Sequence, residues 1–184
     1  MKKIFILISS ILMASCASSS QDVRIEIFPS VAESNTGSGI ILSVTVDDSR
    51  PSGVIGTTGE TTQIYTSQDL AETIGLAMVD AFSKQGFSVS AASNPAAVRM
   101  TVALEDLSYT RDGNLVTTIV NTTSKMRVTL EGKNFGKNYS NSEERIIPFS
   151  SSEETNNSQL RSILETLIER IVSDQELLAA IKRY

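Results

Sequence analysis

Val98-Arg99-Met100-Thr101-Val102-Ala103-Leu104-Glu105 decides the fold, because its apolar side chains recur at every second position. Val98, Met100, Val102 and Leu104 face one way and Arg99, Thr101, Ala103 and Glu105 the other, the alternation of a strand with one buried face. Downstream, Asp112-Gly113-Asn114 is a hairpin turn signal. A second long strand follows within Leu115–Gly132, with Met126, Val128 and Leu130 set against Lys125, Arg127 and Glu131. Asn121-Thr122-Thr123-Ser124 breaks its apolar pattern, which predicts a bulge or bend there. Gly132-Lys133-Asn134-Phe135-Gly136 reverses the chain again, and a third strand ends near Phe149. Three strands joined by short turns make an antiparallel meander.

Upstream, Val23–Phe28 alternates apolar and charged residues up to Pro29, the pattern of a half-buried strand. Ile40–Val46 is β-branched and more continuously apolar, which predicts an interior strand. Asp47–Thr62 has no periodicity and contains Pro51, Gly53, Gly56 and Gly59. Stretches of this kind are functional or disordered loops, and the glycines read as turn positions with positive φ. A helix follows, capped by Thr66 or Ser67, with Leu70, Ile74, Ala77, Met78, Ala81 and Phe82 at helical spacing and Gly86 as its C′ residue. With a short strand at Phe87–Ala91, this order permits one parallel crossover.

Ser150–Asn157 reads as a polar linker. A second helix from Ser158 carries a stripe of Leu160, Ile163, Leu164, Leu167, Ile171 and Val172, and its charges rule out a membrane span. Ser173-Asp174-Gln175-Glu176 is a capping box for a last short helix through Lys182. The expected fold is α+β: a single mixed, mostly antiparallel sheet with two main helices packed on one face and a short C-terminal helix.

Composition narrows the chemistry. The 184 residues include one Cys and no His, so there is no imidazole base, no Ser-His-Asp system, no internal disulfide and no Cys-cluster zinc site. Sixteen basic against 21 acidic residues argue against a nucleic-acid partner. No cofactor is implied.

The N-terminus says where the protein sits. Met1-Lys2-Lys3 and the short apolar run Ile4–Met13 form a signal peptide, too short to span a bilayer. Leu12-Met13-Ala14-Ser15-Cys16 resembles the lipobox of bacterial lipoproteins, with Met13 where Leu is usual. That resemblance implies cleavage between Ser15 and Cys16 and acylation of Cys16. Residues 1–15 are then a signal peptide, 16–22 an acylated cysteine with a polar tether, and 23–184 one periplasmic domain. Cleavage removes Lys2 and Lys3 and no acid, leaving 14 basic and 21 acidic residues, net −7 with the N-terminus acylated. An acidic body is repelled by anionic lipid, so the acyl chains must hold it. Ala17, where Asp would imply inner-membrane retention, points by the same resemblance to the outer membrane.

Ile41-Leu42-Ser43-Val44-Thr45-Val46-Asp47-Asp48-Ser49-Arg50-Pro51, then Ile55-Gly56-Thr57, then the helix ending in Gly86-Phe87-Ser88-Val89, resemble the YajG-type family of bacterial lipoproteins. The family pairs an Asp-x-Arg strand exit with an Ile-Gly motif and a Gly-Phe-x-Val helix end. The resemblance implies an envelope lipoprotein of this fold, with no assigned enzymatic activity.

Asp47 and Asp48 point to opposite faces of a strand and cannot converge on one substrate, and Glu105-Asp106 meets the same objection. Asp48 and Arg50, two apart on an extended segment, share a face and can pair. The expected function is a non-enzymatic accessory or adaptor of the envelope, bound to the membrane through its lipid and to an envelope protein. Its candidate contact loop is Asp48, Arg50, Val54 and Ile55, with sheet edges as a second route. The alternatives are a cell-wall glycan or peptide module, which the few aromatic residues disfavour, and a hydrolase using carboxylates alone.

Overall fold

The computed structural model describes residues 20–58, 62–90, 94–113, 117–148 and 153–183. Along the chain come β1 (Ser20–Asp22), β2 (Ile41–Asp48), β3 (Val54–Thr58), β4 (Thr62–Tyr65), α1 (Leu70–Lys84), β5 (Ser88–Val89), β6 (Val98–Gly113), β7 (Thr117–Leu130), β8 (Phe135–Pro148), α2 (Glu153–Val172) and α3 (Gln175–Lys182). The signal peptide at 1–15, Cys16 and Ala17 lie outside the described residues.

The strands form one mixed sheet, and β6 is its spine. On one side β6 pairs antiparallel with β7 along its whole length, and β7 pairs antiparallel with β8, the expected meander. On its other side β6 carries two parallel partners end to end. β2 runs from Leu42 opposite Val98 to Asp48 opposite Leu104, and β3 meets β6 at Gly56 opposite Tyr109. β4 and β1 extend the sheet beyond β3, and β5 pairs parallel with β2, completing the crossover. β2 is therefore interior, as its sequence predicts.

The bulge lies elsewhere than predicted. β7 keeps its alternation through Thr118, Val120, Thr122, Ser124, Met126 and Val128, all buried, so Asn121–Ser124 is regular strand with polar side chains on the inner face. The irregularity is on β6, between Leu104 and Asp106. There the buried set shifts from even positions (Val98 to Leu104) to odd ones (Leu107, Tyr109), as one extra residue requires. Asp112 and Gly113, expected in a turn, belong to β6, and Asn114, the rest of that turn signal, lies outside the described residues.

Four further expectations are corrected. The loop expected over Asp47–Thr62 holds the β3–β4 hairpin, with Ile55 and Ile64 buried in the core. Gly56 is a strand residue, without the positive φ expected of it. It is glycine because a Cβ there would overlap the Tyr109 carbonyl oxygen. The tether expected to reach Asp22 ends earlier, since Ser20–Asp22 is a strand paired with Gln63–Tyr65. Finally α2 begins at Glu153, inside the expected linker. Its buried Asn156 accepts a hydrogen bond from the Tyr109 hydroxyl at 2.8 Å and donates to Gln21 Oε1 at 3.1 Å.

Helix ends follow local chemistry. Asp69, not Thr66 or Ser67, caps α1 by accepting from the Glu72 N–H, and Gly86 at φ 84° ends it as predicted. Asp174, not Ser173, caps α3. α1 packs on β2, α2 on β7 and β8, and the two helices touch. Both cover the inner face of the sheet, burying Met78, Phe82, Leu164, Leu167 and Ile171 against Met100, Val102, Met126 and Val128. No described helix is long and apolar enough to cross a membrane.

Gly56→Ala is expected to lower stability in urea by about 2 to 3 kcal/mol, because the added methyl forces β3 away from β6. Gly53→Ala, with nothing within 4 Å of its added carbon, is expected to change it by less than about 0.5 kcal/mol.

Candidate functional site

The Asp-x-Arg pair sits where β2 ends. Arg50 donates through Nε and Nη2 to the two Asp48 carboxylate oxygens at 2.8 and 2.7 Å, and its N–H donates to Asp48 Oδ1 at 3.2 Å. These bonds from Arg50 hold the Asp48 carboxyl below the usual carboxylate range, burial opposing them only in part. The Arg50 side chain is only 6% exposed, and Nη1 has no partner in its buried position. The predicted pairing is present, and its setting is structural. It fixes the chain where β2 leaves β6 opposite the bulge, before β3 returns to the same side of that strand.

The contact loop expected at Asp48, Arg50, Val54 and Ile55 is thereby divided. Val54 is exposed, but Ile55 is 2% exposed and belongs to the core, because β3 turns it inward. Arg50 is covered and already paired. Only Val54 and the outer part of Asp48 are open to a partner in this conformation.

Other carboxylates are also engaged. Asp174 accepts from Lys137 Nζ at 2.6 Å and from the Tyr139 hydroxyl at 2.9 Å, as well as from the Glu176 and Leu177 N–H groups at the start of α3. Burial alone would raise its pKa, yet these four donors lower it; burial and the Asp174 contact push the Tyr139 phenol up. The cluster fastens β8 to α3. Among the described residues no group of three or more Cys, Asp or Glu could hold a metal ion.

A feature the sequence did not disclose lies on the helix layer. Val23–Phe28, expected as a half-buried strand, keeps its alternation and carries it on to Ser30, with Val23, Ile25, Ile27 and Pro29 buried and Arg24, Glu26, Phe28 and Ser30 exposed. Among the described residues its one main-chain hydrogen bond to the sheet is Val23 N–H to Tyr65 O at 2.8 Å. Beyond that it is an extended strip over the helices, and side chains act as its neighbouring strands. The Gln68 amide accepts from Ile25 N–H and donates to Ile25 O, both at 3.0 Å. On the other side Glu165 and Glu169 of α2 accept from the Phe28 and Ser30 N–H groups at 2.8 and 2.6 Å. The spacings agree: two residues of extended chain advance about 6.6 Å and four residues of helix about 6 Å.

Between this strip and α1 runs a groove of about 620 Å³, within the range of ligand clefts. Ile25, Ile27 and Phe28 form one wall, and Thr73, Leu76 and Ala77 the other. Phe28 is 71% exposed and Leu76 66%, two of the five large exposed apolar side chains among the described residues. The sequence signals were present: an apolar Phe28 on the outward phase of the alternation, and Leu76 off the buried stripe of α1.

A family model described as uncharacterized lipoprotein matches residues 29–182. No curated protein sequence matches the chain. Among solved structures, a Helicobacter pylori protein described as a homolog of neuraminyllactose-binding hemagglutinin is similar with a TM-score of 0.50 at 9% identity, over 89% of this chain and 97% of that one. Rare lipoprotein B from Shewanella oneidensis is similar more loosely, with a TM-score of 0.39 at 10% identity, over 78% of this chain and 94% of that one. The first is a likeness of fold.

Asp48→Ala is expected to lower stability by about 3 kcal/mol, since it leaves a covered guanidinium unpaired. Arg50→Met is expected to lower it by no more than about 1 kcal/mol. Asp48 has a lowered folded pKa, so its contribution is complete above the ordinary carboxylate range and fades as pH falls through the folded value. The gap between wild type and Asp48→Ala in urea titrations should therefore narrow below about pH 4.

Proposed function

The chain belongs to the uncharacterized lipoprotein family known as YajG, and from that premise we propose that it is a lipid-anchored protein of the outer membrane, facing the periplasm and serving as a non-enzymatic adaptor of the envelope. Cys16 carries the lipid after cleavage behind Ser15, and Ala17 directs the protein to the outer membrane. The observation that carries this reading is where β1 starts. Ser20 is four residues after Cys16, so the paired edge of the sheet lies within about 14 Å of the lipidated residue. A domain on so short a lead works at the membrane surface.

The way the carboxylates are used supports a non-enzymatic role. Asp48 is tied to Arg50, Asp174 to Lys137 and Tyr139, and Glu165 and Glu169 to main-chain N–H groups of the strip. Each has a structural partner, which leaves none of these four free as a general acid or base.

Labelled palmitate is expected to enter the full-length chain and to be lost completely in Cys16→Ser. On density gradients the wild type is expected with the outer membrane and Ala17→Asp with the inner membrane. Palmitate retained by Cys16→Ser would remove the anchor assignment, and an unmoved Ala17→Asp would remove the sorting assignment.

A further inference from the structure

We propose that the groove between the Val23–Ser30 strip and α1 receives an extended segment of a partner polypeptide, added as a strand beside Ile27 with its apolar side chains between Phe28 and Leu76. The inference deepens the adaptor reading and rests on it for its biological meaning, while the binding it predicts is independent of lipidation.

The first ground is the pairing pattern along one side of the strip. In an extended chain the N–H and C=O of alternate residues point the same way. Val23 N–H meets Tyr65 O on that side, and two residues on, both polar groups of Ile25 meet the Gln68 amide. Two residues further, Ile27 falls in the same row, opposite the side taken by Phe28 N–H and Glu165. Among the described residues nothing bonds to the Ile27 N–H or C=O, although Ile27 lines the groove. The row of strand partners is thus filled at the Val23 N–H and at both polar groups of Ile25, and open at Ile27. An unpaired donor and acceptor aligned with an existing ladder is the template that strand addition uses.

The second ground is the groove's character. Its charged rim balances: Arg24 and Lys84 against Glu26 and Asp80, with Lys84 and Asp80 already paired at 2.6 Å. No net charge selects an ion, a phosphate or a lipid headgroup, on a chain whose overall charge is −5. Its open surface is instead the Phe28 ring and the Leu76 side chain, suited to alternate apolar residues of an incoming strand. From Arg24 to Phe28 the strip offers about 13 Å of length, enough for a segment of four or five residues.

The test uses the full-length lipidated protein in nanodiscs, labelled for amide NMR. The probe is an acetylated and amidated heptapeptide alternating Thr and Val, with two analogues N-methylated at odd or at even positions. Main-chain recognition does not depend on a particular peptide sequence, so this probe suffices. In the free protein the Ile27 amide is expected to exchange with solvent far faster than that of Ile25. Millimolar peptide should shift and protect it. One N-methylated analogue should lose at least tenfold in affinity and the other should not. Leu76→Asp, at an exposed position, should weaken binding at least tenfold. Ile146→Asp, at a site equally exposed (67%) on β8, should leave it unchanged. The proposal is overturned if the Ile27 amide does not respond, if both analogues bind like the parent, or if the peptide protects the β8 edge instead. None of these failures would affect the palmitate result, so loss of the groove and loss of the anchor are separable.

Discussion

One constraint organises the sheet: β6 must carry two parallel strands in succession on the same side. β2 and β3 run in one direction and together resemble a single long strand interrupted at Ser49–Gly53. An interrupted partner leaves β6 unpaired at one point, and the Glu105 bulge lies there, where an extra residue is tolerated. Two fixtures hold the arrangement. At the exit of β2 the Asp48–Arg50 pair pins the chain, and at the return of β3 Gly56 lets the backbone lie against Tyr109. Tyr109 in turn points inward to Asn156 of α2, which reaches Gln21 of β1. The outer hairpin, the spine and the helix layer are therefore joined through one residue of β6.

The Val23–Ser30 strip solves a different problem. Extended chain lying on helices has no ladder to satisfy its main chain, and buried N–H and C=O groups without partners are costly. Side chains meet the need here. Gln68 presents in one amide group the acceptor and donor that a neighbouring strand would present, and its remaining N–H goes to Thr73 Oγ1. Glu165 and Glu169 exploit the near match between two extended residues and four helical ones. The burial of Val23, Ile25 and Ile27 drives the strip onto the seam, and these polar contacts fix its direction and register.

How far the sequence disclosed this follows from what periodicity can encode. Alternation at Val98–Leu104 and helical spacing at Leu70–Phe82 are strong because many side chains share one partner surface, and the α+β class follows from them. Alternation at Val23–Phe28 correctly marked one buried face but could not say whether a sheet or a pair of helices covers it. The phase shift from Leu104 to Leu107 was readable on β6. The break at Asn121–Ser124 points instead to β7, because Thr122 and Ser124 place polar atoms on an inner face. The start of α2 was hidden for the same reason, since Asn156 and Gln159 look like linker residues and are buried. Of the candidate site, Asp48 with Arg50 was legible as a local i, i+2 relation. Ile55 was misplaced because β3 is short and glycine-containing, and the groove was invisible because Phe28 and Leu76 come from segments far apart in sequence.

The segment from Ser20 to Ser30 links these features to one another. From Ser20 the chain pairs with β4, inserts Gln21 beneath the sheet toward Asn156, and then crosses the helix layer to Ser30. Within eleven residues it contacts the sheet, the turn before α1, and α2. Displacement of this end of the chain is borne first by the β1–β4 pairing and by Gln21, whose amide oxygen is bonded to Asn156 while its amide nitrogen is buried without a partner, the least secured polar group of that chain of contacts. Next in line is the strip itself, one wall of the groove. β1, the polar bridge to Tyr109 and the groove wall are successive stretches of one short segment, so the geometry of the groove is tied mechanically to the pairing of β1 with β4.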